Sequence, residues 1–269
     1  MSDNSKRVIS GAVLTAVLVL LCAVGGPLLL AACAALSVLA LSEFFRAVSM
    51  GTSPFLKADI VCTVLFYGLL LFFGEKAILP VLFAVFFVLT GISLLRFPEL
   101  PVRETALAFF GFFYISVLMS CLYLARNMEQ GVWLFILVFI CSWLGDTFGY
   151  VFGRRFGKHK MTPKLSPKKS FEGLAAEIIG VTAVAALFGC LLRDRLSVYS
   201  CPILRCLLCG FFGSGISVCG DLFASAVKRE YGIKDYSSLI PGHGGILDRF
   251  DSVLMTAPFV TLVFMISGI

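Results

Sequence analysis

Charge is scarce in this chain. Of its 269 residues only 14% are charged, while 59% are hydrophobic; a soluble domain carries about 25% charge. A single domain of this length leaves much of its surface in water, so so large an apolar excess has no core to hide in. With a mean hydropathy of +0.98, the scarcity excludes soluble enzymes and nucleic-acid-binding proteins and leaves a polytopic membrane protein. The net charge of +6 then speaks first to topology. No internal repeat stands out, so the sequence mark of inverted-repeat transporters is missing as well. Cysteine is not lacking, but a metal set is. Most of the ten lie inside apolar runs, where Cys behaves as a small hydrophobe. Cys201, Cys206 and Cys209 have spacing reminiscent of an iron–sulfur pattern but find no fourth ligand nearby, so packing is the expected role.

What is present is a series of apolar runs of spanning length. They cover roughly 8–24, 27–45, 59–74, 77–95, 105–125, 131–152, 174–192, 202–224 and 252–269. The expected class is therefore all-α, with about nine transmembrane helices: five in residues 1–130, and a C-terminal membrane region, 131–269, bearing two polar loops at 153–173 and 225–251. Turn chemistry separates the runs, as in Gly25-Gly26-Pro27 and Met50-Gly51-Thr52-Ser53-Pro54. Nine spans place 17 Lys and Arg on the side of the N-terminus and only 5 on the other. Cytoplasmic loops carry that excess, so both polar loops are expected to face the cytoplasm. Lys6-Arg7 and the first apolar run could pass for a signal peptide, and Leu30-Ala31-Ala32-Cys33 for a lipoprotein cleavage box. That box lies too deep for an ordinary signal, and cleavage would spoil the charge sorting, so retained helices are expected.

The polar residues gather in those two loops. In the first, Arg154, Arg155, Lys158, His159, Lys160, Lys164, Lys168 and Lys169 lie close together, and the cluster could simply anchor to anionic headgroups. Ser166-Pro167-Lys168-Lys169-Ser170-Phe171-Glu172-Gly173 has more order than an anchor needs: hydroxyls, two lysines and a helix-starting Ser-Phe-Glu suit a phosphate cradle at a helix N-terminus. Asp146 lies late in the sixth run, where a carboxylate is costly and marks a functional candidate. Glu43 and Glu177, near predicted helix ends, are accounted for by snorkelling or pairing. The eighth run is expected to continue as a helix past Asp221, with Ser217, Asp221, Ser225 and Lys228 within an arc of about 80° on one wet face. Glycines around His243 allow close approach of backbone amides to an anion. Asp221, Asp248 and Asp251 beside Lys228, Arg229 and Arg249 read either as mutually neutralising charges or as oxygen ligands for Mg²⁺ with a cationic clamp for phosphates. The second reading makes this a Mg²⁺-dependent phosphoryl or nucleotidyl site at the membrane surface.

Ser225-Ala226-Val227-Lys228-Arg229, Lys234-Asp235 and Ile240-Pro241-Gly242-His243-Gly244-Gly245-Ile246-Leu247-Asp248-Arg249-Phe250-Asp251 resemble the signature of the phosphatidate cytidylyltransferases, or CDP-diacylglycerol synthases. Asp146, Gly153-Arg154, Gly157-Lys158 and the Ser166–Gly173 block also resemble that family, so the likeness covers roughly 142–253. It implies transfer of CMP from CTP to phosphatidate, dependence on Mg²⁺ with room for K⁺, and a homodimer in a bacterial-type inner membrane with its site facing the cytoplasm. It assigns metal binding to Asp221 and Asp248, with Asp251, Asp146 and Ser217 beside them. Phosphate handling falls to Lys168, Lys169, Lys228, Arg229 and Arg249, with Ser166, Ser170, Ser225, Gly244 and Gly245 lining the substrate and His243 as base or orienting group. Three positions depart from the pattern: Gly149 where Ala is expected, Ala224 where an acid is common, and Ala175-Ala176 where glycines are usual. A transporter would need charges along a midplane path, and the spans are largely clean. A lipid kinase would need a base for a hydroxyl, which His243 or Asp146 could supply.

Overall fold

The computed structural model describes residues 3–240, 242 and 244–266, with side chains from residue 10 onward. Among them, nine helices follow the nine apolar runs: α1 Asp3–Val24, α2 Gly26–Ala47, α3 Pro54–Phe73, α4 Ile78–Leu95, α5 Val102–Asn127, α6 Gly131–Phe156, α7 Phe171–Leu191, α8 Pro202–Glu230 and α9 Leu247–Met265. Their boundaries have local causes. Gly25 and Gly26, both at positive φ, break the chain between α1 and α2, and Pro27 starts α2 with its fixed φ. Ser53 caps α3, accepting the Phe55 N–H at 3.4 Å, ahead of Pro54.

Six stretches of the described residues are long and apolar enough to cross a membrane, so the chain is an integral membrane protein of the all-α class. By that measure the count of nine crossings is not reached. One stretch, Pro54–Leu95, has 42 residues, about 63 Å as a single rod against ~30 Å of hydrocarbon. It breaks at Gly74, where φ of 57° and a 3₁₀ turn, Gly74–Ala77, separate α3 from α4. Among the residues with described side chains, the apolar part of α1 covers Ser10–Val24. α9 opens on Asp248, Arg249 and Asp251. Two spans contain π-helical turns, Phe112–Val117 in α5 and Ile140–Leu144 in α6, a local widening often found near functional sites. The loop expected between α6 and α7 is not irregular: β1 (Lys160–Thr162) and β2 (Ser166–Ser170) pair as a short antiparallel hairpin.

The chain forms two compact units that do not follow the sequence halves 1–130 and 131–269. One holds residues 1–124 with 231–249, the other 125–230 with 250–269. The first is cored by aromatic rings, with Phe66 against Phe112 at 5.8 Å between centroids. A buried polar seam runs through it. Thr63 and Ser116 hydroxyls bond at 2.7 Å, and Tyr67 donates to the Ser116 carbonyl at 3.1 Å while receiving the Ser37 hydroxyl at 2.9 Å. Ser116 lies in the π-helical turn, whose shifted ladder leaves its carbonyl available to Tyr67.

The second unit packs by close backbone approach. Gly145, Gly149, Gly153 and Gly157 recur every four residues along the end of α6, one stripe on a helix face. A Cβ on Gly153 or Gly157 would meet the Ser170 hydroxyl at 3.2 or 2.5 Å, so the start of α7 lies directly against the stripe. Gly173 answers from α7, with its Cβ position 2.9 Å from the Gly149 carbonyl oxygen. Gly220 does the same between α8 and α9, where an added Cβ would stand 2.6 Å from the Asp251 carbonyl oxygen. At the far end Arg205, 2% exposed, donates to the Val263 and Ile266 carbonyls and to Ser200, tying the start of α8 to the end of α9. Cys206 and Cys209 are buried in that packing, as expected of small hydrophobes.

Candidate active site

In the second unit the hairpin determines which lysine turns inward. Successive side chains of a strand alternate sides, and Lys168 is exposed while Lys169 is half-buried. The Lys169 ammonium pairs with Asp221 Oδ2 at 2.7 Å. Burial works against the Lys169 charge, but the bond to Asp221, with Asp146 and Glu177 nearby, outweighs it and holds the pKa above the ordinary lysine value. Ser170, the next residue, caps α7 by accepting the Gly173 N–H at 3.2 Å, as the Ser-Phe-Glu start led one to expect. Glu172 reaches back to the His159 backbone N–H at 3.2 Å and bonds the His159 ring at 2.6 Å, closing the hairpin's base.

Around the Lys169–Asp221 pair lie further acids. Ser225 donates to Asp221 Oδ1 at 3.4 Å from one turn along α8. Ser252 of α9 donates its hydroxyl to Asp146 Oδ2 at 3.3 Å, while its backbone N–H meets Asp251 Oδ1 at 2.8 Å. Asp146, Asp221 and Lys228 are within electrostatic reach of Asp251. The α8 face expected to be wet is instead the buried one: Ser217 is 0% exposed and Ser225 and Lys228 are 8%. Its polar groups turn toward neighbouring helices because Gly220 brings α9 against α8 there. Arg229, one residue beyond Lys228, is exposed, and Ser166 starts β2 opposite Thr162.

Glu177, which the sequence alone accounts for by snorkelling or pairing near a helix end, belongs to this cluster. Its side chain is 3% exposed, interacts with Asp146, Lys169 and Asp221, and leaves Oε1 without a hydrogen-bond donor among the described residues. A Cβ on Gly145 would stand 2.8 Å from Glu177 Oε1, and one on Gly149 2.7 Å from Oε2. An Ala at Gly149, the residue the resemblance expects, would require the Glu177 carboxylate to shift. The signal was a glycine stripe facing an acid two turns into the next helix, which only the packing of α6 on α7 reveals.

The first unit holds the glycine-rich part of the signature. Asp248, in the first turn of α9, takes the Tyr236 and Gly245 N–H groups on Oδ2 at 2.8 and 2.9 Å. Gly244, at φ 84°, has its Cβ position 2.9 Å from the same oxygen. Glu43 of α2 accepts the Ile246 and Leu247 N–H groups at 3.0 and 2.8 Å and the Ser237 hydroxyl at 2.6 Å. Gly244 and Gly245 therefore make room for the chain's own carboxylates, where an approach to a bound anion was expected. Arg249 is half-buried beside them in sequence, and His243 lies outside the described residues.

Among the described residues no three acids, imidazoles or thiols converge closely enough to hold a metal ion. The donor chemistry nevertheless suits a hard cation: Asp146, Asp221, Asp251 and Glu177 offer carboxylate oxygens. Ser217 Oγ and Glu177 Oε1 are buried without a hydrogen-bond partner among the described residues, and the Lys169 ammonium sits on Asp221 where positive charge is wanted.

An all-α integral membrane protein with a group of carboxylates gathered around Lys169 behind a Ser-Pro-Lys-Lys hairpin is the class that fold and site define. Residues 5–267 match the cytidylyltransferase family, and the chain belongs to it. It is 32% identical over 189 residues to a phosphatidate cytidylyltransferase of Rickettsia felis, covering 68% of this chain and 81% of that protein. A phosphatidate cytidylyltransferase of Haemophilus influenzae is 42% identical over 140 residues, covering 50% of this chain and 46% of the relative. One of Thermotoga maritima is 32% identical over 131 residues, 49% of this chain and 48% of the relative. The matched part thus spans about half the length of the last two relatives.

Proposed function

We propose that the chain is a phosphatidate cytidylyltransferase, which makes CDP-diacylglycerol and pyrophosphate from CTP and phosphatidate. The observation that supports this reading most is the Lys169–Asp221 pair set among Asp146, Asp251, Glu177 and Lys228, in a chain that matches the cytidylyltransferase family over 5–267. A phosphatidate phosphate oxygen attacks the α-phosphorus of CTP; an O–P bond forms, the bond to the bridging oxygen breaks, and pyrophosphate leaves. The nucleophile is already an anion, so no strong base is required, and repulsion between two anions is the main obstacle. Cations answer that need. Lys169 and Lys228 hold phosphoryl oxygens inside the site, while exposed Lys168 and Arg229 draw the headgroup and triphosphate from water, with Arg249 as a further clamp. Asp221, with Asp146 and Asp251 of the same unit, would hold Mg²⁺, which when bound neutralises triphosphate charge; the family resemblance gives Asp248 a metal-binding role too and leaves room for K⁺.

The excess of Lys and Arg on one side supports a site facing the cytoplasm, and the family resemblance supports a homodimer in a bacterial inner membrane. The acyl chains of phosphatidate then stay in lipid while CTP arrives from water. The test uses purified full-length protein with phosphatidate, Mg²⁺ and CTP labelled either in cytidine or in the γ-phosphate. Cytidine label entering the lipid with an equal release of pyrophosphate, abolished by chelator, is expected. Entry of the γ-phosphate label alone would make the protein a kinase, and binding without transfer would make it a transporter.

A further inference from the structure

We infer that Glu43, a residue of the second helix, is a positioning residue that holds residues 245–247, and through them Asp248, in place at the start of α9. The chain reaches this arrangement across some two hundred residues: Glu43 lies near the end of α2, and its partners are Ser237, Ile246 and Leu247. Glu43 is 2% exposed. Burying a carboxylate costs several kcal/mol unless its lone pairs are filled, and here three donors fill them at 2.6, 3.0 and 2.8 Å. Such charge-assisted bonds are among the stronger ones a loop can make.

The partners decide what the bonds do. Leu247 is the first residue of α9, so its N–H is one of those a helix start leaves without an internal acceptor, at the positive end of the helix dipole. Glu43 supplies that acceptor from another helix. Asp248 takes the preceding amide, Gly245, together with Tyr236. Three successive amides, 245 to 247, are thereby fixed on two carboxylates, and the Ile240 N–H to Gly244 carbonyl bond of 2.8 Å closes the turn before them. Gly245 is the residue type this demands, since an added Cβ would stand 2.6 Å from both Glu43 oxygens. The same three amides cannot cradle a triphosphate while these carboxylates hold them. Glu43 contacts no reacting atom in this scheme; it acts through the loop, and through Asp248, which it holds in register at the helix start.

The kinetic half of the test rests on the cytidylyltransferase reading; the structural half does not. Glu43→Gln keeps the shape but turns one acceptor into a donor facing an N–H. In purified full-length protein, hydrogen exchange at the amides of 245–247 should accelerate roughly 10- to 100-fold. The KM for CTP should rise or kcat fall by a similar factor, with the KM for phosphatidate and the unfolding temperature little changed. Ser237→Ala removes one bond without touching the buried acid and should shift the same readouts in the same direction by a smaller factor. If Glu43→Gln does not fold, the Ser237→Ala result decides. Wild-type exchange at 245–247 in the variants, or equal loss toward both substrates in step with loss of folded protein, would overturn the proposal. A wild-type protein that makes no CDP-diacylglycerol would sink the enzymatic reading alone, because the exchange measurement stands apart from it.

Discussion

Glu177 and Gly149 are a matched pair, and the match is steric before it is electrostatic. The Gly149 Cβ position lies 2.7 Å from Glu177 Oε2, a separation that real carbon atoms do not hold. Gly149→Ala is expected to lower stability by about 1–3 kcal/mol, the usual range for overpacking, and to reduce turnover because Glu177 neighbours Lys169 and Asp221. Adding Glu177→Ala should recover most of the lost stability. Thermal unfolding of the single and double variants measures that coupling, and simple additivity would contradict it. Lys169 offers a second test. Its pKa is held above the ordinary lysine value by Asp221 and the acids near it, so its stabilising charge is complete below about pH 10 and is lost only as pH rises through the still higher folded value. Turnover from pH 7 to 10 should therefore show no fall that disappears in Lys169→Met; a Lys169-dependent decline centred near pH 8 would show that the ammonium is not so held. Neither pair was readable in sequence. Glu177 looked like an acid at a helix end, because nothing in the local pattern says which helix it faces.

At the scale of elements, the glycines let helices approach closely enough to assemble polar groups. Gly220 precedes Asp221, and its missing side chain admits the α9 backbone at Asp251. Gly220→Ala would force α8 and α9 apart at the point where Asp221, Asp251 and Asp146 are held. A loss of turnover of at least about tenfold is expected, with about 1–3 kcal/mol of destabilisation; wild-type kinetics in a folded variant would show the spacing to be unimportant. The length of α8 past the apolar run was legible, since Asp221, Ser225 and Lys228 continue the helical period. Its exposure was not: the polar face suggested water, but it packs against other polar groups. The β1–β2 hairpin was missed for a related reason. Two strands of three and five residues leave too little alternation to separate a hairpin from a basic loop, and Ser166-Pro167 reads as a turn.

For the molecule as a whole, apolar runs and their breaks announced the helices, because spanning length and turn chemistry are written locally. The division into units was hidden, since residues 231–249 join the first 124 only through long-range contacts such as those of Glu43. The charge bias gives a topological prediction: in sealed inside-out vesicles, protease should cut the Lys160–Lys169 hairpin, and in right-side-out vesicles it should not. Cleavage from the outer face alone would reverse the orientation. The claim on which the rest depends is that the acids around Lys169 carry out nucleotidyl transfer. Its most direct test is Asp221→Asn, with transfer of cytidine label from CTP to phosphatidate measured beside the unfolding temperature of the same preparation. A fall of at least about a hundredfold in turnover is expected, with the protein still folded. Turnover near that of the wild type would contradict it.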